Sequence, residues 1–244
     1  MTDPTPSVLQ VTGLKVTYPG GGVGLAAFDL EVGAGEVVAL LGRNGAGKTT
    51  ALRGISGYLK SEGVQVAGSV TVRGRQVARL APYQCFGHGV SYVPERDKVF
   101  PVLSVEEHLR LNRHDAHRVD AVFEQFPRLA KHRKRQAVVL SGGERQMLAL
   151  AMAWMAQPAV LLVDEASLGL SPVAIEAVTE TLDELRARLG VALVLVDQET
   201  SHTLTLAERI VILQQGGIVW QGRRGDISSD DLRSIIVGSR DDIQ

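Results

Sequence analysis

The stretch Gly42-Arg43-Asn44-Gly45-Ala46-Gly47-Lys48-Thr49-Thr50 limits what this chain can fold into more than any other. It follows the pattern G-x-x-x-x-G-K-[ST]. Val37–Leu41 before it is wholly apolar and bounded by Gly35 and Gly42, as expected of a parallel strand buried on both faces. Thr49–Tyr58 after it reads as a helix. A strand that turns through glycines into a helix aims backbone N–H groups at one spot, at the positive end of a helix dipole. Glycines let phosphate oxygens approach the backbone closely. In that setting Lys48 can reach the β- and γ-phosphates of a nucleotide, and the Thr49 hydroxyl can ligate Mg²⁺.

A second apolar run, Ala159–Val163, ends in Asp164-Glu165. Acids at the carboxyl end of a parallel strand lie beside such a loop. Asp164 is expected to hold Mg²⁺ through water and Glu165 to face the attacking water. Val191–Val196 is another buried strand, ending in Asp197-Gln198. Asn112-Arg113-His114-Asp115 has the outline of a guanine reader, but it follows a helix rather than a core strand and is discarded.

Composition narrows the class. The chain has 244 residues, 45% of them hydrophobic, enough for a sizeable core in one large domain or one domain with an insertion. A net charge of −1 argues against a dedicated nucleic-acid binder. A single cysteine, Cys85, excludes an intramolecular disulfide and fits a reducing compartment. Met1–Pro6 lacks the basic and apolar regions of a signal peptide. The longest apolar runs are far too short to span a bilayer. A protein soluble by itself is expected, with any membrane role through a partner.

The remaining segments surround these motifs. Leu9 and Val11, then Phe28, Leu30 and Val32, alternate with polar neighbours on either side of Gly20-Gly21-Gly22, which predicts an antiparallel layer joined by Val70 and Val72. Tyr18 ends the first of these strands; it reads either as a half-buried strand aromatic or as a stacking platform for adenine. Gly89–Val93 is a strand stopped by Pro94. Ser104–Glu107 is a capping box opening a helical block to about Pro158, with Val119, Val122, Phe123 and Phe126 on one face and Pro127 as a stop. The basic run Lys131–Arg135 reads as a solvated helix end rather than a binding patch. Ser171-Pro172 opens a helix closed by Gly190, and Ile210–Leu213 with Ile218–Trp220 form a hairpin. Ser229-Asp230-Asp231 caps a last short helix, and the tail after Gly238 is polar.

Leu140-Ser141-Gly142-Gly143-Glu144-Arg145-Gln146 places a serine and two glycines at a helix start, a second anion site unless Ser141 is simply an N-cap. One nucleotide already has its phosphates wrapped by the first loop. The second reader therefore points to a phosphate held by another copy, with ATP between two subunits.

With these three motifs in order, the chain resembles the ATP-binding cassette (ABC) ATPase subunits over nearly its whole length. The resemblance implies an α/β fold: a P-loop NTPase (RecA-like) core with an N-terminal antiparallel β layer and an inserted α-helical subdomain. Within one domain spanning 1–244, core and β layer take about 8–98 and 158–225, the helical subdomain about 99–157, and a C-terminal extension 226–244. By resemblance Tyr18 stacks on adenine and residues 42–50 bind phosphate. Thr49, Glu95 and Asp164 are the metal-side residues. Lys48 and Gln198 assist a general base, Glu165. Ser141, Gly142 and Gly143 read the γ-phosphate across a dimer, and Ser167-Leu168-Gly169 links the two sites.

Glu95 stands where the family usually has glutamine, and Gln198 where it has a switch histidine. Both, with Val99-Phe100-Pro101-Val102-Leu103-Ser104-Val105 and Ser167–Pro172, are similar to the branched-chain amino-acid importer ATPases. Ala166, Met152 and Arg96-Asp97-Lys98 depart from that pattern. The resemblance implies ATP and Mg²⁺, and an ATPase dimer, either homodimeric or paired with a histidine-bearing paralogue. It also implies integral membrane permease subunits, an indirect periplasmic or lipid-anchored solute-binding protein, no nucleic acid, and a place at the cytoplasmic face of the cell membrane. Importers of urea or amides are an alternative. So are a regulatory module that hydrolyses little and a soluble cassette acting on DNA or ribosomes, the last disfavoured by a single short cassette.

Overall fold

The computed structural model describes residues 7–59, 63–111, 116–197 and 200–237. Two long strands, β1 (Ser7–Thr17) and β2 (Val23–Gly33), pair antiparallel across the glycine turn. Then β3 (Val37–Leu41) runs into the glycine loop at 42–47 and α1 (Lys48–Ile55) leaves it. The chain continues through β4 (Gln65–Val72), β5 (Arg75–Gln76), α2 (Pro82–Gly87) and β6 (Val90–Val93). Four helices follow, α3 (Val105–Arg110), α4 (Ala116–Gln125), α5 (Pro127–Ala130) and α6 (Gly142–Ala156). Last come β7 (Val160–Asp164), α7 (Pro172–Leu189), β8 (Ala192–Val196), α8 (Thr200–Leu206), β9 (Arg209–Gln214), β10 (Gly217–Arg223) and α9 (Ser229–Val237).

Among the described residues the strands form one ten-stranded sheet in the order β5-β4-β1-β2-β10-β9-β3-β8-β7-β6. β9, β3, β8, β7 and β6 are parallel neighbours, whereas β1, β2, β4 and β5 form an antiparallel layer. The two parts meet at one parallel rung between β2 and β10, Ala27 opposite Gly217. All of β3, β7 and β8 is buried, which explains their unbroken apolar runs. Successive residues of β3 feed different cores. Val38 and Leu40 face α1 and the antiparallel layer, while Ala39 and Leu41 meet the end of the chain around Leu232. Leu161 and Val163 of β7 and Leu193 and Leu195 of β8 pack under α6 and α7. Each fully buried Val or Leu contributes about 1.5–3 kcal/mol, so a slip in register would cost several such terms.

The boundaries differ in small ways from the sequence expectation. α1 begins at Lys48 and ends at Ile55, with Ser56 as its C-cap. Ser104 and Glu107 form the expected capping box, but the block after them is not one continuous helical pattern. Ser104 bridges to Gln136, and a 3₁₀ turn covers Ala137–Val139. Pro127 both follows the end of α4 and opens α5, because its fixed φ suits the first helical position. The cap of α9 is Ser228, one residue before the expected start: its Oγ accepts from Asp231 N at 3.1 Å. α2 carried no clear sequence signal, being a single turn and a half. Of the basic run, Arg133 is ion-paired to Glu106 and Asp120 at 2.9 Å and lies over the Phe123 ring, while Lys131, Lys134 and Arg135 are exposed. The discarded guanine reader at 112–115 and the tail after Val237 lie outside the described residues.

Candidate active site

The loop between β3 and α1 closes tightly because two of its glycines have no room for a side chain. A Cβ on Gly42 would lie 2.4 Å from the Leu213 carbonyl oxygen, and one on Gly47, at φ +106°, would lie 2.7 Å from that of Gly24. The loop is thereby wedged between the starts and ends of neighbouring strands. Ala46 is buried and joins Gly216 through its carbonyl, while Arg43, Asn44 and Gly45 are exposed at the tip. Arg43 donates to the Val237 carbonyl at 3.2 Å, so the end of α9 rests on the loop.

Lys48 is buried, and its Nζ donates to the carbonyls of Gly42 at 2.8 Å and Arg43 at 3.2 Å. Burial pulls its ammonium below the ordinary lysine value, opposed by the negative charges of Glu165, Asp164 and Asp197. Thr49 Oγ1 donates to Asp164 Oδ1 at 3.2 Å, joining the loop to the end of β7. Tyr92 on the adjacent β6 donates to Asp164 Oδ2 at 3.1 Å. Burial raises the Asp164 carboxyl above the usual carboxylate range, while the Thr49 and Tyr92 bonds pull it down. The Tyr92 phenol is pushed upward, first by burial and then by Asp164.

Glu165 follows β7 directly, is buried, and adopts a left-handed backbone at φ +48°. That conformation costs a non-glycine residue on the order of 1–3 kcal/mol. A bond from Glu165 N to the Val196 carbonyl at 2.7 Å holds it there, turning the chain off the strand line beside Lys48 and Asp164. Glu95, after β6, is part-exposed and ion-pairs with Arg96 at 2.9 Å. It lies near enough to Asp164 for its charge to raise that carboxyl. Tyr18 is half-buried and shares a 2.9 Å hydrogen bond with Thr50, its ring over Gly24.

Ser141 caps α6. Its Oγ accepts from Glu144 N at 3.3 Å and Glu144 Oε2 accepts from Ser141 N at 2.7 Å. Ser141 and Gly142 are exposed, and Gly143 sits so close to α7 that a Cβ there would meet Ala174 at 2.8 Å. Among the described residues of this one chain, the hydrogen bonds of the Ser141 turn run to Glu144 and not to residues 42–50 or Asp164. Gln198 lies outside the described residues.

Three contributors were given no role in the site from the sequence. Tyr92 is two residues before the strand-stopping Pro94, and only the β6–β7 pairing brings it to Asp164. Lys98, whose ammonium is lowered by burial, reaches from the same loop to Gln146 on α6. Asp197 is buried at the end of β8, between Ser167 and Thr203. Its position at the carboxyl end of a parallel strand, like that of Asp164, was the available signal.

Comparison with known proteins agrees with this geometry. Residues 25–168 match the family model described as "ABC transporter". The high-affinity branched-chain amino acid transport ATP-binding protein BraG of Pseudomonas aeruginosa is 39% identical over 209 residues, covering 83% of this chain and 88% of that protein. The probable branched-chain amino acid transport ATP-binding protein LivF of Archaeoglobus fulgidus is 32% identical over 205 residues, covering 82% and 85%. Among solved structures, an ATP-binding cassette of an ABC transporter in its ADP conformation superposes with a TM-score of 0.81 over 97% of each chain, at 20% identity. The ATP-binding subunit of another ABC transporter gives 0.80 at 26% identity, over 95% of this chain and all of that one. The fold, the paired motifs and these relatives agree: the chain belongs to the ABC transporter ATP-binding family and is an ATP-hydrolysing transporter subunit.

Proposed function

We propose that this ATPase powers import of branched-chain or closely related amino acids. The observation that carries the ATPase part is the convergence of Lys48, Thr49, Asp164 and Glu165 at the carboxyl ends of β3 and β7. The solute is supported by the names of the relatives and by the Glu95, Gln198 and Ser167–Pro172 features. The core and β layer take about 8–98 and 158–225, and the helical block 99–157 is read as the subdomain that moves against them.

In this reading residues 42–50 wrap the phosphates, Lys48 leaves the loop carbonyls for the β- and γ-phosphates, and Tyr18 stacks on adenine. Glu165 takes the proton of the attacking water; a glutamine such as Gln198 can orient that water but takes no proton. The oxygen donors Thr49 and Asp164, with Glu95 close by, suit Mg²⁺, which favours one or two carboxylates plus substrate phosphates. Mg²⁺ held there would neutralise charge developing on the phosphoryl oxygens. Among the described residues no cluster of three or more acids, histidines or cysteines competes as a metal centre.

The exposed Ser141-Gly142 turn is read as completing the site of a second copy, so that ATP closes a dimer. Membrane permease subunits are the partners of this class. Among the described residues no helix is long and apolar enough to cross a membrane, so attachment at the cytoplasmic face would run through those subunits. An open groove of about 580 Å³ lined by Tyr58, Tyr83, Phe86, Phe100 and Met152 adjoins Tyr92 and Pro94. Tyr83 is 76% exposed and Phe100 58%. This is the surface proposed to take a permease helix and to pass nucleotide state from Glu95 onward. A solute-binding protein would act only through the permease.

The test is uptake of labelled leucine, isoleucine and valine by cells lacking this chain, against labelled urea and acetamide. Loss of amino-acid uptake, restored by wild type and not by Lys48→Ala, is expected. Intact amino-acid uptake with lost urea or amide uptake would replace the solute assignment.

A further inference from the structure

The buried carboxylate that the mechanism above leaves unused is Asp197. It is 4% exposed and accepts two buried hydrogen bonds: from Ser167 Oγ to Oδ1 at 2.7 Å and from Thr203 Oγ1 to Oδ2 at 3.1 Å. Burying a carboxylate costs several kcal/mol, which packing alone does not explain. Ser167 and Thr203 are both hydroxyl donors to it. A carboxylate can accept from both at once with separate oxygens, whereas an asparagine presents one acceptor and one donor group.

The partners lie on different elements. Ser167 is two residues beyond Glu165, in the loop that enters α7. Thr203 lies in α8, which starts just after Gln198, the residue next to Asp197 in the chain. The 165–169 loop thus has two anchors on the end of β8, the backbone bond from Glu165 to Val196 and the side-chain bond from Ser167 to Asp197. Just beyond the second anchor the loop presents Leu168, 51% exposed, and Gly169 at φ +71°.

We infer that Asp197 is a positioning residue for hydrolysis, a clamp that fixes the loop carrying Glu165 against the end of β8 and, through Thr203, against α8. Pressure on Leu168 from a second copy is passed through Ser167 to Asp197 and so to α8. Losing the clamp spares the bonds that hold residues 42–50, but lets Glu165 drift relative to Lys48 and Asp164. Displacements of about 1 Å in such groups cost up to roughly a hundredfold in rate. This inference rests on the reading of Glu165 as the base.

The experiment is a double-mutant cycle on the full chain, with Ser167→Ala, Asp197→Asn and the pair. It reads kcat and KM for Mg²⁺-ATP hydrolysis beside equilibrium binding of a fluorescent ATP analogue. Each single variant is expected to lower kcat about tenfold with KM and analogue binding within about twofold, and the pair to fall no further than the worse single. Ser167→Thr, which keeps the hydroxyl, is expected to restore most of the rate. A Ser167→Ala rate within twofold of wild type, effects that multiply in the pair, or losses of binding that match the losses of kcat would each overturn the inference. Should Asp197→Asn fail to fold, Ser167→Ala with Thr203→Val, one arm each, is judged by the same kcat and binding criteria. Glu165→Gln in parallel separates the two ideas. If it hydrolyses like wild type, the base assignment fails. If it is inactive while Ser167→Ala is normal, the clamp alone fails.

Discussion

The Thr49 hydroxyl and the Asp164 carboxylate, 115 residues apart in the chain, lie 3.2 Å apart across the ends of β3 and β7. β8 separates those two strands in the sheet, so the meeting depends on the parallel register of all three. Read as the Mg²⁺ ligands proposed above, two hard oxygen donors held this way predict shared metal affinity. Thr49→Val and Asp164→Asn should each raise the Mg²⁺ concentration for half-maximal hydrolysis by about tenfold or more, since Mg²⁺ sites depend on one or two such ligands. Titrating Mg²⁺ at saturating ATP measures it; an unchanged midpoint in both variants would remove the metal role.

Asp164 also predicts a pH-dependent stability. Burial raises its carboxyl, so on lowering the pH the folded chain takes up this proton before the unfolded chain does. Stability is then lost as pH rises from the ordinary carboxylate value through the raised one, and the penalty persists above it. Without nucleotide, Asp164→Asn should therefore melt above wild type near neutral pH. That gain should shrink as the pH is lowered through the folded carboxyl's titration, where wild type is neutral too. Thermal melts across pH 4–8, chosen to bracket roughly the carboxylate range, check the sign.

Glu165 pays for its left-handed backbone with a bond to Val196, and a position held at such cost points to chemistry. Glu165→Gln keeps the shape but exchanges one acceptor oxygen for a donor NH2 group and removes the basicity. It should bind ATP normally and lose about 10²–10⁴ in single-turnover rate. Equal rates in the two proteins would leave the site a binder of nucleotide whose hydrolysis is set elsewhere.

Ser141 and Glu144 cap α6 reciprocally, which allows the cap to be separated from any reading of a partner's phosphate. Ser141→Ala and Glu144→Ala should each destabilise by about 0.5–2 kcal/mol. Only Ser141→Ala should also lower ATP-dependent dimer formation and kcat, because Glu144 turns back to Ser141 and to His132 at 2.9 Å. Urea melts and light scattering with ATP distinguish the two. Matching losses in both variants would make Ser141 a cap and nothing more.

The positions of the motifs and most of the elements around them were legible in the sequence, and the reasons are local. Val37–Leu41 reads as a strand because every residue in it is apolar, and the glycines after it permit a turn no other residue could make. Ser104 and Ser171 mark helix starts because a hydroxyl next to free N–H groups is a short-range bond. Boundaries drifted where local signals compete, as at Ser228, where three consecutive candidates offer a cap to the same turn.

What the sequence by itself determined is the kind of chemistry: a glycine loop for phosphate, acids at strand ends, and a capped serine-glycine turn, each specified by residues adjacent in the chain. What only the tertiary structure decided is which of these groups meet. Tyr92 reaches Asp164 because β6 pairs with β7, and Asp197 holds Ser167 because β8 ends beside the Glu165 turn. Such contacts arise from strand register and from the packing of loops at the sheet's edge. Those are set by the sum of many buried apolar contacts far from the residues concerned, so no short stretch of sequence encodes them.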